Sequence, residues 1–174
     1  MSTGRPPLKA ALVSLFERWP RSASFDELRD EVRSRLGRAE GDLPEFAEGL
    51  LQAHISHLIT LHAHEPRIAA KASERPLASA LARFQASGDS IVTSLRLRSV
   101  DLAEFDALVL RLLDGTRDRA AILDGLVAFA ADGTLEIEQD DGPVTDPERL
   151  RTLLAPGIAP SLARIARHAL LVEN

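Results

Sequence analysis

Cysteine is absent from this 174-residue chain, and so is tyrosine. Without cysteine there is no disulfide, no thiolate metal site and no thiol nucleophile. Aromatic residues make up 4% of the chain, too few to favour a base-stacking platform. No two of the ten glycines, at positions 4, 37, 41, 49, 88, 115, 125, 133, 142 and 157, are separated by a single residue. That excludes a G-x-G cradle for a nucleotide-type cofactor, and no P-loop, G-x-S-x-G elbow or H-E-x-x-H pair occurs either. No apolar run approaches the roughly 20 residues of a membrane helix, and the start, MSTGRPPLKAAL, lacks the apolar core of a signal peptide. A cytoplasmic location away from membranes is therefore expected.

Charge is unevenly spread. Residues 1–100 hold 14 Lys and Arg against 12 Asp and Glu, a balance of +2; residues 101–174 hold 7 against 14, a balance of −7. Nucleic-acid binding needs a basic footprint, and the second part of the chain has the reverse.

Helical spacing opens the chain. Leu8, Leu12, Leu15, Phe16 and Trp19 recur three and four residues apart and predict an inward stripe that Pro20 ends. Ser24 with Glu27 three residues on reads as a capping box. Phe25, Leu28, Val32 and Leu36 then carry a second helix to Gly37, placed as its C′ residue. Pro44 suits the first position of a third helix bearing Phe46, Ala47, Leu50, Leu51 and His54. Over residues 56–64 the period changes to two, with Ile59, Leu61 and Ala63 against Thr60, His62 and His64, which predicts a strand. Three helices and a strand in that order suit a winged-helix unit.

Pro76 is expected to open a short helix to Ala86, with Leu77, Leu81 and Phe84 inward. Residues 90–99, SIVTSLRLRS, alternate as a strand, with Ile91, Thr93, Leu95 and Leu97 on one face and Arg96 and Arg98 on a basic outer edge. The helical pattern then repeats, with Asp101 and Glu104 as an acidic capping box, Phe105, Leu108, Val109, Leu112 and Leu113 as the stripe, and Gly115 as a C′ candidate. Thr116 is expected to cap the next helix. A strand is expected with Leu135 and Ile137 inward and Glu136 and Glu138 outward, Asp140-Asp141-Gly142-Pro143 is expected as a turn, and Val144 is expected to begin a short return strand. Asp146-Pro147 starts a helix that Pro156-Gly157 should break, before a last helix over 160–171. The fold class expected is α+β, mostly helical, with two winged-helix-like modules in tandem: residues 1–75, a connecting helix or linker over 76–89, and residues 90–174.

Two constellations invite a chemical role. His54, His57, His62 and His64 fall within eleven residues, as an i, i+3 pair and an i, i+2 pair, and convergence of the pairs would hold a metal. Solvated polar faces at a helix end explain them more simply, since imidazole suits the last helical turn. No metal site and no catalytic residue are therefore assigned. Arg96 and Arg98 on one strand, and Glu136, Glu138, Asp140 and Asp141 on the acidic ribbon, are the candidate contact residues.

Three segments carry a family resemblance. PLKAALVSLFERWPRSASFDEL (residues 7–28), ERPLASALARFQA (74–86) followed by VTSLRLRSVDL, and LVLRLLDGTRDRAAILDGL (108–126) resemble, in that order, the methyltransferase regulatory region and the C-terminal winged helix that follows it. These regions occur behind class I S-adenosylmethionine methyltransferase domains in bacterial proteins, some of them protein lysine methyltransferases that modify rickettsial surface proteins. The resemblance covers nearly the whole chain, although the catalytic domain has no counterpart here, so no catalytic or cofactor residue carries over. It implies a non-catalytic regulatory or substrate-engaging module that works by protein contact. The partners it implies are a methyltransferase catalytic domain, in cis or in trans, that holds the S-adenosylmethionine, and that domain's protein substrate. The alternative is a winged-helix DNA-binding regulator reading a groove with residues 44–54. Glu45 and Glu48, with no Lys or Arg in that helix, set it against phosphates.

Overall fold

The structure is a computed structural model that describes residues 6–37, 43–63, 67–139 and 142–173. The chain divides into two compact units, Met1–Pro66 and Arg67–Asn174.

Three helices make up the described part of the first unit: α1 (Pro6–Glu17), α2 (Phe25–Leu36) and α3 (Leu43–Ile55). Their core is Leu8, Ala11, Leu28, Val32, Leu50 and Ala53, bordered by Leu12, Leu15, Leu36, Phe46 and Ile59. The capping box of α2 is present: the Ser24 hydroxyl accepts from the Glu27 amide at 3.2 Å, and the Glu27 carboxylate accepts from the Ser24 amide at 2.9 Å. Gly37 ends that helix in the left-handed conformation. Phe16 and Trp19, expected inside, are 83% and 51% exposed. The stripe is centred on Leu8, Ala11 and Leu15, and each further residue turns 100° away, so Phe16 points outward. Trp19 lies beyond the end of the helix.

The strand expected over 56–64 does not form across residues 56–63; His64 lies outside the described residues. In its place α3 ends in a Schellman turn. His57 sits at φ 58, with the His57 amide on the His54 carbonyl and the Leu58 amide on the Ala53 carbonyl, both at 2.9 Å. Alternation specifies a strand only where a neighbouring strand completes the ladder, and none among the described residues pairs with these. A β-carbon at the left-handed C′ position costs conformational energy. His57→Gly is therefore expected to stabilise the first unit by roughly 0.5–1 kcal/mol, read as a raised urea midpoint by Trp19 fluorescence; an unchanged or lowered midpoint would show that the imidazole supplies contacts worth as much.

The second unit holds α4 (Ala80–Gln85), α5 (Glu104–Leu112), α6 (Arg119–Ala131) and α7 (Pro147–Arg167), with three antiparallel ribbons: β1 (Leu77–Ala78) with β6 (Leu171–Val172), β2 (Ile91–Thr93) with β3 (Ser99–Asp101), and β4 (Glu138–Gln139) with β5 (Gly142–Pro143). Ile68 also bridges Val172, and Leu77 bridges Asp114. Residues 67–89, read in sequence as a module tail and a connector, thus belong to this unit, because Ile68, Ala78 and Ala82 are buried in it. Pro76 leads into β1, and Ser79 caps α4.

Further expectations shift by a residue or an element. Asp101 lies in β3, and α5 starts after Ala103 with no side-chain cap. Asp118 caps α6, its carboxylate accepting from the Ala121 amide at 2.9 Å. Thr116 instead donates its hydroxyl and amide to Asp114, at 2.7 and 2.9 Å. Pro156-Gly157 does not break α7, which runs 21 residues with Pro156 and Pro160 inside it. Leu150, Leu154, Ile158, Leu162 and Ile165 keep one buried register through the prolines, and that burial outweighs the hydrogen bonds the prolines forfeit. A β-carbon at Gly157 would stand 3.0 Å from the Phe105 ring, so the glycine lets α5 lie close.

Candidate protein-contact surface

The frame of the second unit is an ion pair. Asp106 on α5 receives two bonds from the Arg164 guanidinium on α7, both 2.7 Å. The Asp106 side chain is 5% exposed and that of Arg164 48%. Burial pushes the Asp106 carboxyl upward, but Arg164, Ser161 and His168 together hold it below its ordinary value.

Beside it, the β2–β3 hairpin is held near its turn by two neighbouring elements. The Gln85 side-chain oxygen accepts from the Thr93 amide at 2.7 Å, and its amide nitrogen donates to the Thr93 hydroxyl at 3.0 Å. The Leu95 amide reaches the Ala169 carbonyl at 3.0 Å. The facing inverts the expected one: Val92 and Ser94 are buried, whereas Ile91 and Leu97 are exposed. Val92 packs in the core and sets that face of β2 inward; beyond it the chain turns at 94–98, where the Ser94 hydroxyl accepts the Arg98 amide at 3.2 Å and Leu97 takes φ 55. Arg96 and Arg98 therefore sit on this turn and not along a strand edge. They also differ: Arg98 is exposed, while Arg96 is half-buried, and burial lowers its pKa. At the tip, Leu97 is 84% exposed.

The acidic ribbon is shorter and shifted from the expected one: β4 begins only at Glu138, and Gly142-Pro143, expected in the turn, form β5 in place of a strand from Val144; Glu136 and Glu138 face solvent while Leu135 and Ile137 are half-buried. Asp140 and Asp141 lie outside the described residues.

The histidines occupy a helix end. His54 Nδ1 lies 3.3 Å from the Ile59 carbonyl, His57 is the C′ residue, and His62 is exposed in the segment that follows. Among the described residues no three His, Asp or Glu side chains are grouped to hold a metal. The first unit also has a polar cavity of about 440 Å³ lined by Ser14, Glu17, Arg18, Arg21, Ser22, Glu27 and Glu31. Arg18 and Arg35 clasp Glu31 there, at 2.6 and 3.0 Å. The hydrogen bond from Arg18, then that from Arg35, holds the Glu31 carboxyl below its ordinary value. Its charges are matched internally, which makes it a structural network.

Leu51, expected on the apolar side of α3, and Leu81 and Phe84, expected inward on α4, are exposed instead, as is Ile55. Their signal was in the sequence, as apolar residues in excess of one stripe per helix. Glu45 and Glu48 of α3 face solvent as well, which opposes insertion of this helix into a DNA groove.

The residues present do not fit S-adenosylmethionine. A Gly-rich turn between a parallel strand and a helix is what lets the backbone approach such a cofactor, and every ribbon among the described residues is antiparallel. Gly115 follows α5 at φ 85, against Leu77, and serves the turn that Asp114 and Thr116 tie together. No helix among the described residues is long and apolar enough to cross a membrane.

Comparison with known proteins places this architecture. An uncharacterized protein of Rickettsia prowazekii (strain Madrid E), RP789, is 23% identical over 180 residues, covering 99% of this chain and 32% of that protein. The structure of PKMT2 from Rickettsia typhi superposes with a TM-score of 0.71 at 23% identity, over 99% of this chain and 36% of that one. The same protein in complex with AdoHcy gives 0.68 at 21% identity, over 95% and 34%. The chain thus spans about a third of the length of these relatives, and the likeness to the two structures establishes the shared fold. Residues 74–170, nearly the whole second unit and more than half of the chain, match the family described as PKMT, C-terminal winged helix domain, and the chain belongs to that family.

Proposed function

We propose that this chain is a non-catalytic regulatory or substrate-engaging module of an S-adenosylmethionine-dependent protein lysine methyltransferase and acts through protein contact. The observation that carries this is the family match over residues 74–170, in a chain that corresponds to only a third of its relatives. The cofactor and the chemistry belong to the catalytic domain, which this chain meets in cis or in trans. Rigid surfaces fixed by Asp106–Arg164 and Gln85–Thr93 support a contact role, since a docking surface works best when it is ordered beforehand. The hairpin turn with Arg96 and Arg98, and the acidic ribbon with Glu136 and Glu138, extended in sequence by Asp140 and Asp141, are the proposed contact elements.

A coupling of 1–3 kcal/mol suffices for regulation. Saturating amounts of this chain, added to the methyltransferase domain encoded in its own genome, are expected to change the methylation rate or the affinity for protein substrate about five-fold or more. Unchanged rate and affinity would reduce the module to a scaffold.

A further inference from the structure

The third helix of the first unit is apolar on two sides. Leu50 and Ala53 face the core. Turned away from it, Leu51 and Ile55, one turn apart, are 51% and 60% exposed, and Leu58, held beyond the helix end by the Schellman turn, is 48% exposed. A helix at the surface of a finished domain carries a single apolar stripe, and one that is apolar all round is enclosed. Among the described residues the unit's hydrophobic core has six buried side chains, two of them alanine, which is little for a unit of this size to fold on.

We infer that the row Leu51, Ile55 and Leu58 is the seat of a methyltransferase catalytic domain, an inference that rests on the function proposed above and adds a surface on the first unit to the contact elements of the second. The comparisons and the charge pattern select this occupant. The relatives continue for about twice the length of this chain beyond the part it matches. The family match describes a C-terminal domain and begins at residue 74, so the first unit stands, in sequence, on the side of that match where the remaining polypeptide of the relatives lies. No Lys or Arg occurs between Arg38 and Arg67. An anionic membrane or a nucleic acid would need basic residues flanking the apolar row, whereas an apolar protein surface does not.

The test uses the full chain and, as a separate polypeptide, the methyltransferase domain encoded in the same genome. The double variant Leu51→Gln, Ile55→Gln is expected to bind that domain at least about tenfold more weakly, with its own thermal midpoint unchanged because neither side chain belongs to the unit's core. In the wild-type chain, hydrogen exchange of the α3 amides is expected to slow when the domain is added. Equal binding by the variant, with the effect on methylation retained, overturns this surface and leaves the regulatory function standing. A clear fall in the variant's midpoint, together with α3 amides already protected in the chain alone, shows that the row is covered within the chain and overturns the inference. Failure of the wild-type chain to bind the domain or alter its rate removes both.

Discussion

A chain ending at residue 167 is expected to lose the cooperative unfolding of its second unit. The last residues are central to the fold. Leu170 and Leu171 are buried almost completely. Leu171 and Val172 pair with Leu77 and Ala78 on one strand, while the Ala69 amide reaches the Leu171 carbonyl at 3.0 Å and the Glu173 amide reaches the Arg67 carbonyl at 3.1 Å. The Ala169 carbonyl anchors the hairpin turn through the Leu95 amide. Deleting a buried leucine side chain costs about 2–5 kcal/mol, so losing two, with their ladder bonds, is comparable to the whole stability of a domain, about 5–15 kcal/mol. Thermal unfolding by circular dichroism should show the transition of the second unit gone, while Trp19 fluorescence still reports a folded first unit. A retained transition at the wild-type midpoint would mean that the C-terminal strand is dispensable.

The second large effect is expected at Arg164. Arg164→Ala leaves the Asp106 carboxylate buried without its main partner, at a cost of about 2–4 kcal/mol at neutral pH, the lower part of that range reflecting the half-exposed guanidinium. In the wild-type protein the Asp106 pKa is depressed below 3.8, so its stabilisation is present above the ordinary carboxylate value and is lost as pH falls through the folded value. In the variant the dominant remaining influence on Asp106 is burial, which raises its pKa. Protonation then relieves the buried charge, and the stability gap between the two proteins should narrow from pH 7 toward pH 3. Urea denaturation at several pH values measures it, and a gap independent of pH would assign the loss to packing alone. Asp106→Ala combined with Arg164→Ala should cost less than the sum of the single changes, since the two side chains share one interaction.

Local sequence carried much of this molecule. The Ser24–Glu27 capping box and Gly37 bound α2, and Asp146-Pro147 starts α7, because caps and C′ residues act within one turn and need no partner from elsewhere. The alternation of Leu135 and Ile137 with Glu136 and Glu138 matches the burial there but not the strand, which begins only at Glu138. The three segments that resemble the methyltransferase-associated regions lead to the same family as the match over residues 74–170.

What failed was whatever depended on a distant partner. Residues 56–63 alternate yet form no strand, whereas Leu77–Ala78 and Leu171–Val172, too short to read, pair across more than ninety residues of chain. The Pro156-Gly157 break is overruled because five buried side chains keep α7 in register. The hairpin turns Arg96 and Arg98 out of the expected strand edge, through a left-handed Leu97 that no local rule selects. Asp106 reads as an ordinary helix-start acid until α7 brings Arg164 against it. The sequence by itself determined the family and those helix ends whose caps act within one turn, at both ends of α2 and at the start of α7, because such caps are set by neighbours a few residues away. The tertiary structure alone decided which alternating segments became strands, which prolines were tolerated and which apolar side chains stayed outside, because each of these depends on surface supplied by residues far along the chain.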